Sequence, residues 1–213
     1  MKNKKEKKER KLTLREQERY EKMLLITKQK EEEGYQRKDF IISLTLANVL
    51  VFVLLIPVGF LFVFWFIKAN PQADIEFHLG LFFFVIILAL SAVHELIHGL
   101  VWGLSSGKGF EVIEFGFVAE QLAPYCTCKE PLKKNAYLLG SIMPTVILGI
   151  IPTVLGVYIA SIDLLFIGIM MTLGGMGDIM VVIKLLRYDP KGKDIIIMDH
   201  PTEGGFIVFE RDA

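Results

Sequence analysis

The hydrophobic pattern of the chain has long apolar runs in the middle and polar segments at both ends. Four apolar runs approach or exceed the ~20 residues that an α-helix needs to cross a bilayer. They cover residues 40–67, 79–104, 136–160 and 162–186. The pattern therefore predicts an all-α membrane protein with about four transmembrane helices.

Composition agrees with this prediction and divides the chain into three parts. Of the 213 residues, 53% are hydrophobic, and the mean hydropathy is +0.47. These values suit a small multi-span membrane protein better than a soluble domain. We expect a basic cytoplasmic leader at residues 1–39, a four-span domain at residues 40–187 and a cytoplasmic tail at residues 188–213.

Basic residues predict how the spans are oriented, because cytoplasmic loops are enriched in Lys and Arg. The leader is rich in both, whereas residues 68–78, between the first two spans, include one lysine. The next loop and the end of the chain are again basic, with Lys108, Lys129, Lys133, Lys134, Lys184, Arg187, Lys191 and Lys193. We expect a multi-pass protein of the cell membrane with both termini in the cytoplasm.

Short segments outside the spans favour strands. Residues 110–117 and 121–128 are β-favouring, and residues 195–198 and 206–209 predict a short cytoplasmic β-hairpin. The first pair either binds an unwound substrate by strand addition or is an ordinary amphipathic loop on the membrane surface. Residues 12–33 of the leader are charged and helix-favouring. They could form an amphipathic helix on the inner leaflet, but a solvated, partly disordered tail is the interpretation that we favour.

The second span contains ionisable side chains, which are costly in hydrocarbon and usually functional. His94, Glu95 and His98 form the pattern His-Glu-x-x-His, and on a helix the two histidines face the same way. The same pattern forms the zinc-binding helix of metallopeptidases. We predict one zinc ion per chain, with His94 and His98 as ligands and Glu95 as the catalytic base. The alternative is a pair of buried, hydrogen-bonded histidines.

Catalytic zinc usually has three protein ligands and one water, so a third ligand is needed. A metzincin would have glycine and histidine where this chain has Val101 and Leu104. Asp178 is the only acid well inside the third or fourth span, and neighbouring glycines would let its helix approach closely. At the helical rise, His98 and Asp178 lie ~9 Å and ~14 Å from the cytoplasmic ends of their spans. We predict that Asp178 ligates the metal; the alternative is a hydrogen bond between packed helices.

Three further features have two interpretations each. Pro144 in the third span either frees a backbone carbonyl near the metal or is an ordinary membrane kink. Cys126 and Cys128 could bind metal or sense redox state, although such thiols are more often reduced loop residues. His200 could be a further ligand, but it lies beyond the last span and is expected in a surface turn.

Five short motifs of the chain resemble those of a known family. They are His-Glu-Leu-Ile-His-Gly at 94–99, Met143-Pro144, Gly177-Asp178-Ile179, Asp199-His200-Pro201 and Gly204-Gly205-Phe206. Over roughly residues 94–209 the chain resembles the bacterial "putative zincin peptidase" family of multi-pass membrane proteins. More distantly it is similar to the site-2 protease class of intramembrane metalloproteases. The resemblance implies peptidase activity that depends on zinc.

These observations predict a zinc-dependent, membrane-embedded peptidase that hydrolyses peptide bonds within or next to the bilayer. Its expected partners are a membrane protein or peptide substrate and the lipid bilayer, with no nucleic acid. The alternative is a non-enzymatic membrane protein that binds or transports metal through the same residues. Transport would favour more polar residues in the other spans, and the first and third spans have almost none.

Overall fold

The computed structural model describes residues 12–73, 75–78, 80–118 and 123–212, which are mostly helical. The helices are α1 (Leu14–Glu32), α2 (Leu44–Ala69), α3 (Phe82–Ser106), α4 (Lys134–Pro144), α5 (Ile151–Tyr158), α6 (Ile162–Gly174) and α7 (Met176–Leu186). A π-helical segment, Thr145–Ile150, joins α4 to α5. The strands are β1 (Gln36–Ile41), β2 (Ile113–Val118), β3 (Ala123–Cys128), β4 (Leu132–Lys133), β5 (Asp194–Asp199) and β6 (Gly205–Arg211).

Three helical stretches of the described chain are long and apolar enough to cross a membrane: Thr45–Ala69, Phe82–Ser106 and Lys134–Tyr158. A fourth is present if α6 and α7, which are bent by 54° relative to each other, form one span. The four predicted apolar segments therefore correspond to helices, with two differences. The first helix begins at Leu44 because the preceding residues form β1, and the fourth is broken at Gly175. The predicted start of the second span, residue 79, lies outside the described residues.

The outer surface of these helices is apolar, as contact with lipid requires. On α2, Phe52, Ile56 and Phe60 are 73%, 77% and 73% exposed, and only 6% of the most apolar window of this helix is buried. Soluble monomers rarely expose continuous apolar surface of this extent. The arrangement indicates a membrane protein.

Both predicted pairs of strands are present, but the fold has more β-structure than predicted. β2 and β3 form an antiparallel pair, and the predicted start of its second strand, residue 121, lies outside the described residues. β5 and β6 are not an isolated hairpin: they are the central strands of an antiparallel sheet with the order β1-β6-β5-β4. The prediction of an all-α protein with one short hairpin is thus too simple. β1 was missed because its sequence, QRKDFI, is largely charged and its partner lies at the far end of the chain.

The four-stranded sheet joins parts of the chain that the spans separate. β1 precedes α2, β4 lies between α3 and α4, and β5 and β6 follow α7. Because these strands pair with one another, they lie on one side of the helices. The chain leaves this side after β1 and returns at β4, then leaves it again and returns at β5. The bent pair α6 and α7 is the segment that brings the chain back the second time. The leader and the tail, expected as separate segments, meet in this sheet.

The expectation of a solvated, partly disordered tail is wrong for residues 14–32, which form α1. This helix begins with a capping box, in which Thr13 and Glu16 each accept a hydrogen bond from the backbone amide of the other. Met23 is only 1% exposed because it packs on the four-stranded sheet. Its buried neighbours are Tyr35, Met198, Ile207 and Phe209. Packing on the sheet therefore fixes α1 to the rest of the molecule.

The β2–β3 pair packs on α3, next to the histidines. Two glycines on α3 permit this contact: a Cβ at Gly99 would stand 2.4 Å from Cζ of Phe115, and one at Gly103 would stand 3.6 Å from Cγ1 of Ile113. On its other side the pair is tied to α1, since Nη1 of Arg19 lies 3.3 Å from Oε1 of Glu114. The hairpin thus lies between the histidine-bearing helix and α1.

Candidate metal centre

α3 brings both predicted histidines to one buried face. His94 and His98 are 6% and 3% exposed, and their ring centroids are 4.9 Å apart, as expected for positions i and i+4. One turn further on, Trp102 stacks on His98 at 5.0 Å, and Tyr137 of α4 stacks on Trp102 at 5.5 Å. This aromatic column fixes the orientation of the His98 ring.

Asp178, from the other end of the sequence, lies against both histidines. Its Oδ2 is 3.0 Å from Nε2 of His94, and its Oδ1 is 3.5 Å from Nε2 of His98. Asp178 is in the first turn of α7, directly after the break. At the break, a Cβ on Gly175 would stand 2.4 Å from Oγ1 of Thr145. The missing side chain therefore allows the close approach that places the carboxylate beside the imidazoles.

The carbonyl that Pro144 frees has a defined partner. Proline has no backbone N–H, so Pro144 cannot donate to the carbonyl of Gly140, four residues earlier. That carbonyl instead accepts a hydrogen bond from Nδ1 of His98, at 2.8 Å. Histidine ligands of metals almost always donate their second ring nitrogen to an oxygen in this way, which fixes the tautomer. Of the two interpretations of Pro144, the structure supports the freed carbonyl.

Glu95 lies on the same helix and reaches the same site. One ligand atom each from His94, Glu95 and His98 lie within 4.8 Å of one another, so this trio alone could hold a metal ion. The backbone amide of Cys126, on β3, faces the Glu95 carboxylate. Glu95 is half-buried, whereas the two histidines are buried. Its carboxylate is therefore the more accessible of these three groups.

Two carboxylates thus compete for the role of third ligand. Asp178 is the better candidate, because its two oxygens contact the Nε2 atoms that the helix turns toward each other. Ligand atoms ~2.1 Å from a tetrahedral zinc ion are roughly 3.4 Å apart. The observed separations of 3.0 and 3.5 Å are close to this value. Two imidazoles and a carboxylate are also a donor set that zinc prefers, so the residues present fit this metal.

A cleft of about 1000 Å³ leads from these residues to the surface. Glu95, His98 and Asp178 line it, as do β3, the first turns of α1 and residues 199–205 between β5 and β6. The β2–β3 pair, the connection between β5 and β6 and the helices α1, α3, α4 and α7 thus form its walls. Its volume is large enough for several residues of a peptide.

Asp199 joins the walls of the cleft, and its role was missed at the level of sequence. Its carboxylate accepts hydrogen bonds from Oη of Tyr137 at 2.5 Å, the backbone amide of Cys128 at 2.8 Å and Oγ1 of Thr127 at 3.1 Å. Burial raises the pKa of Asp199, although these three donors oppose the shift. The carboxylate connects β5 to β3 and α4, so it holds the cleft together. The run Asp199-His200-Pro201, which contributed to the family resemblance, was the available signal.

The remaining sequence candidates lie near the site without joining it. Cys126 and Cys128 are free thiols; Cys128 is 1% exposed, and burial raises its pKa to about 12. Such a thiol is a poor nucleophile and metal ligand at neutral pH. Nδ1 of His200 accepts hydrogen bonds from the backbone amides of Thr202 and Glu203, at 3.4 and 3.1 Å, as expected in a turn. None of the three belongs to the group formed by His94, Glu95 and His98. Asp178 is also outside that group, but unlike these three it contacts both Nε2 atoms.

Comparison with protein families decides which family these residues represent. Residues 87–193 match the model of the "putative zincin peptidase" family. The chain belongs to this family. The matched region includes the histidine pair, Glu95, Pro144 and Asp178, and it confirms the family that the sequence motifs indicated. Comparison with curated proteins and with solved structures gives no match.

Proposed function

We propose that this protein is a zinc-dependent peptidase that cleaves peptide bonds within or next to the membrane. The observation that carries the proposal is the contact of both Nε2 atoms, from His94 and His98, with the carboxylate of Asp178. Membership of a zincin peptidase family supports the reaction class. His94 and His98 lie on a helix that is long and apolar enough to cross a membrane, and Asp178 lies in the bent pair α6 and α7, which is so only if the two form one span; these locations support the place of the reaction.

Each residue has a defined part in this proposal. Neutral imidazoles of His94 and His98, with the carboxylate of Asp178, bind the metal. Zinc bound there would activate a water molecule and polarise the scissile carbonyl. Glu95, which lines the cleft, removes the proton of the attacking water and transfers it to the leaving amine. The stacked Trp102 and the Gly140 carbonyl hold His98 in position.

The substrate is proposed to enter as an extended segment. A helical backbone hides its carbonyl groups from attack, so a substrate helix must unwind first. β3 pairs with β2 on one edge, and no other strand of the described chain lies along its second edge. Residues of β3 line the cleft, so an unwound peptide there could add to this strand. This arrangement favours strand addition over the alternative of an ordinary surface loop.

The decisive experiment separates proton transfer from metal binding. Glu95→Gln should retain about one zinc per chain but lower peptide cleavage by about 10²- to 10⁴-fold, because a positioned base is lost. Glu111→Gln, at an exposed position outside the cleft, is the matched control and should change neither quantity. Zinc is measured in detergent-purified protein. Cleavage is measured by proteomics of membrane fragments from cells that express each variant.

Two results would contradict the proposal. Wild-type protein without zinc would exclude the metal centre. Full biological function of Glu95→Gln with zinc retained would leave a metal-binding or transport protein as the better interpretation.

We further propose that the four-stranded sheet and both termini are cytoplasmic. Its strands come from before the first span, from between the second and third spans, and from after the fourth, which is consistent with four crossings. The basic residues of these same segments assign this side to the cytoplasm. Reporter fusions at residues 1 and 213 should both give the cytoplasmic signal; an external signal at either end would refute this orientation.

A further inference from the structure

The third apolar stretch, residues 134–158, has three buried serine and threonine side chains. Ser141 and Thr153 donate to the carbonyl four residues earlier, at 2.9 and 2.8 Å. Thr145 lies between them and is 1% exposed, but its Oγ1 has no hydrogen-bond partner among the described residues. Buried polar groups are almost always hydrogen-bonded, so the exception requires an explanation.

The position of Thr145 relates it to the metal centre. It follows Pro144 and begins the π-helical segment, a distortion that is frequent at functional sites. Its Oγ1 faces the space beside Gly175, where a Cβ would stand 2.4 Å from this oxygen. The same Cβ would stand 3.5 Å from Cε1 of His94. The hydroxyl and the histidine ring therefore border one small space, which Gly175 leaves open.

The two histidines differ in what holds them. Nδ1 of His98 donates to the Gly140 carbonyl, whereas no hydrogen bond of Nδ1 of His94 is present in the described part of the chain. Nε2 of His94 is directed to Asp178. A histidine that ligates metal through Nε2 almost always donates Nδ1–H to an oxygen. His94 thus lacks a partner of the kind that His98 has, and Thr145 has an oxygen without a partner.

We propose that the Thr145 hydroxyl is the positioning partner of His94. When Nε2 of His94 binds the metal, Oγ1 of Thr145 accepts the Nδ1–H, directly or through one water in the space beside Gly175. This contact fixes the tautomer and the ring orientation of His94, as the Gly140 carbonyl does for His98. The inference rests on the proposed zinc site and adds a residue that acts through a ligand.

The test compares a substitution that removes the hydroxyl with one that keeps it. Thr145→Val removes the hydroxyl and should weaken zinc binding by about 10- to 100-fold, the usual effect of losing a partner of a ligand. Thr145→Ser keeps the hydroxyl and should restore most of the affinity. Zinc affinity is measured by competition with a chelator in purified full-length protein. With cobalt in place of zinc, the absorption spectrum should shift in the valine variant and not in the serine variant.

A second substitution tests the space without removing a polar atom. Gly175→Ala should displace the hydroxyl from His94 and weaken zinc binding in the same way. Gly174→Ala is the matched control, because a Cβ at Gly174 meets no atom within 4 Å. Neither glycine has a positive φ, so the comparison concerns space alone.

The outcomes separate this inference from the proposed function. Wild-type protein that binds no zinc would overturn both. Wild-type protein that binds zinc, with equal affinity and an equal cobalt spectrum in Thr145→Val, would overturn the role of Thr145 alone. A purely structural role would lower the thermal stability of Thr145→Val and leave the cobalt spectrum unchanged, which would also refute it.

Discussion

The metal centre and the four-stranded sheet each contain a carboxylate with several partners, and the partners differ in kind. Glu210 of β6 lies 2.8 Å from Nζ of Lys38 and 3.0 Å from Nζ of Lys193, and it accepts a hydrogen bond from Tyr188. Asp178 has two imidazoles, and no lysine or arginine in the described chain pairs with it. Permanent cations neutralise the first carboxylate. The partners of the second are imidazoles, which are zinc ligands, and a metal cation bound among them would neutralise its charge.

The largest expected effect is the loss of the metal on removing a ligand. His98→Ala should reduce zinc from about one ion per chain to near zero, because two ligands are too few for a stable site. His200→Ala is the matched control, since His200 lies in a turn outside the metal-binding group. Metal analysis of the purified proteins gives the answer. Unchanged zinc in His98→Ala would show that His98 is not a zinc ligand.

Asp178→Asn should have a smaller effect on the metal and decides between the two carboxylates. If Asp178 is the third ligand, Asp178→Asn replaces an anionic ligand with a neutral amide and should lower the affinity for zinc by at least about 10-fold. Glu95→Gln should leave that affinity nearly unchanged. Competition with a chelator measures both. The reverse order of affinities would make Glu95 the ligand.

Glu210→Gln should lower stability without changing zinc affinity, which sharpens the contrast between the two regions. The hydrogen bond from Lys38, with those from Tyr188 and Lys193, lowers the pKa of Glu210 from 4.5 to about 2. Its ionised form therefore stabilises the fold above pH 4.5, and this contribution is lost as the pH falls toward about 2. We expect a loss of about 1–3 kcal/mol at neutral pH.

Thermal unfolding in detergent at several pH values tests this prediction. The difference between wild type and Glu210→Gln should be largest near neutral pH and should narrow below pH 4.5. A difference that grows on acidification would have the wrong sign and would refute the assignment.

What the sequence predicted depends on how far apart the interacting residues are. The apolar helices and the pairing of His94 with His98 follow from local periodicity, so they were predicted. Asp178 could be selected by elimination, since few acids lie in the spans. The link between Pro144 and His98 could be predicted only in part. Counting four residues back from Pro144 identifies the carbonyl that is freed, but only the fold shows that His98 is its partner.

Other features depend on contacts that no local pattern contains. β1 was assigned to a polar leader because its largely charged residues resemble a surface segment, and its strand partner β6 follows the last span. The unpaired hydroxyl of Thr145 was also invisible, because the same residue type at position 153 donates to its own helix. The identity of a residue did not distinguish these two cases; its neighbours in three dimensions did.

The strand order β1-β6-β5-β4 has a consequence for biosynthesis. β1 leaves the ribosome before any span, but its strand partner β6 is translated only after all of them. The sheet therefore cannot close during translation, and the cleft wall formed by residues 199–205 is absent until then. Asp178 reaches the histidines at a similarly late stage. If the chain is the proposed peptidase, a nascent chain would lack both the proposed ligand set and the enclosed cleft, so it would be inactive toward neighbouring proteins while it is being inserted.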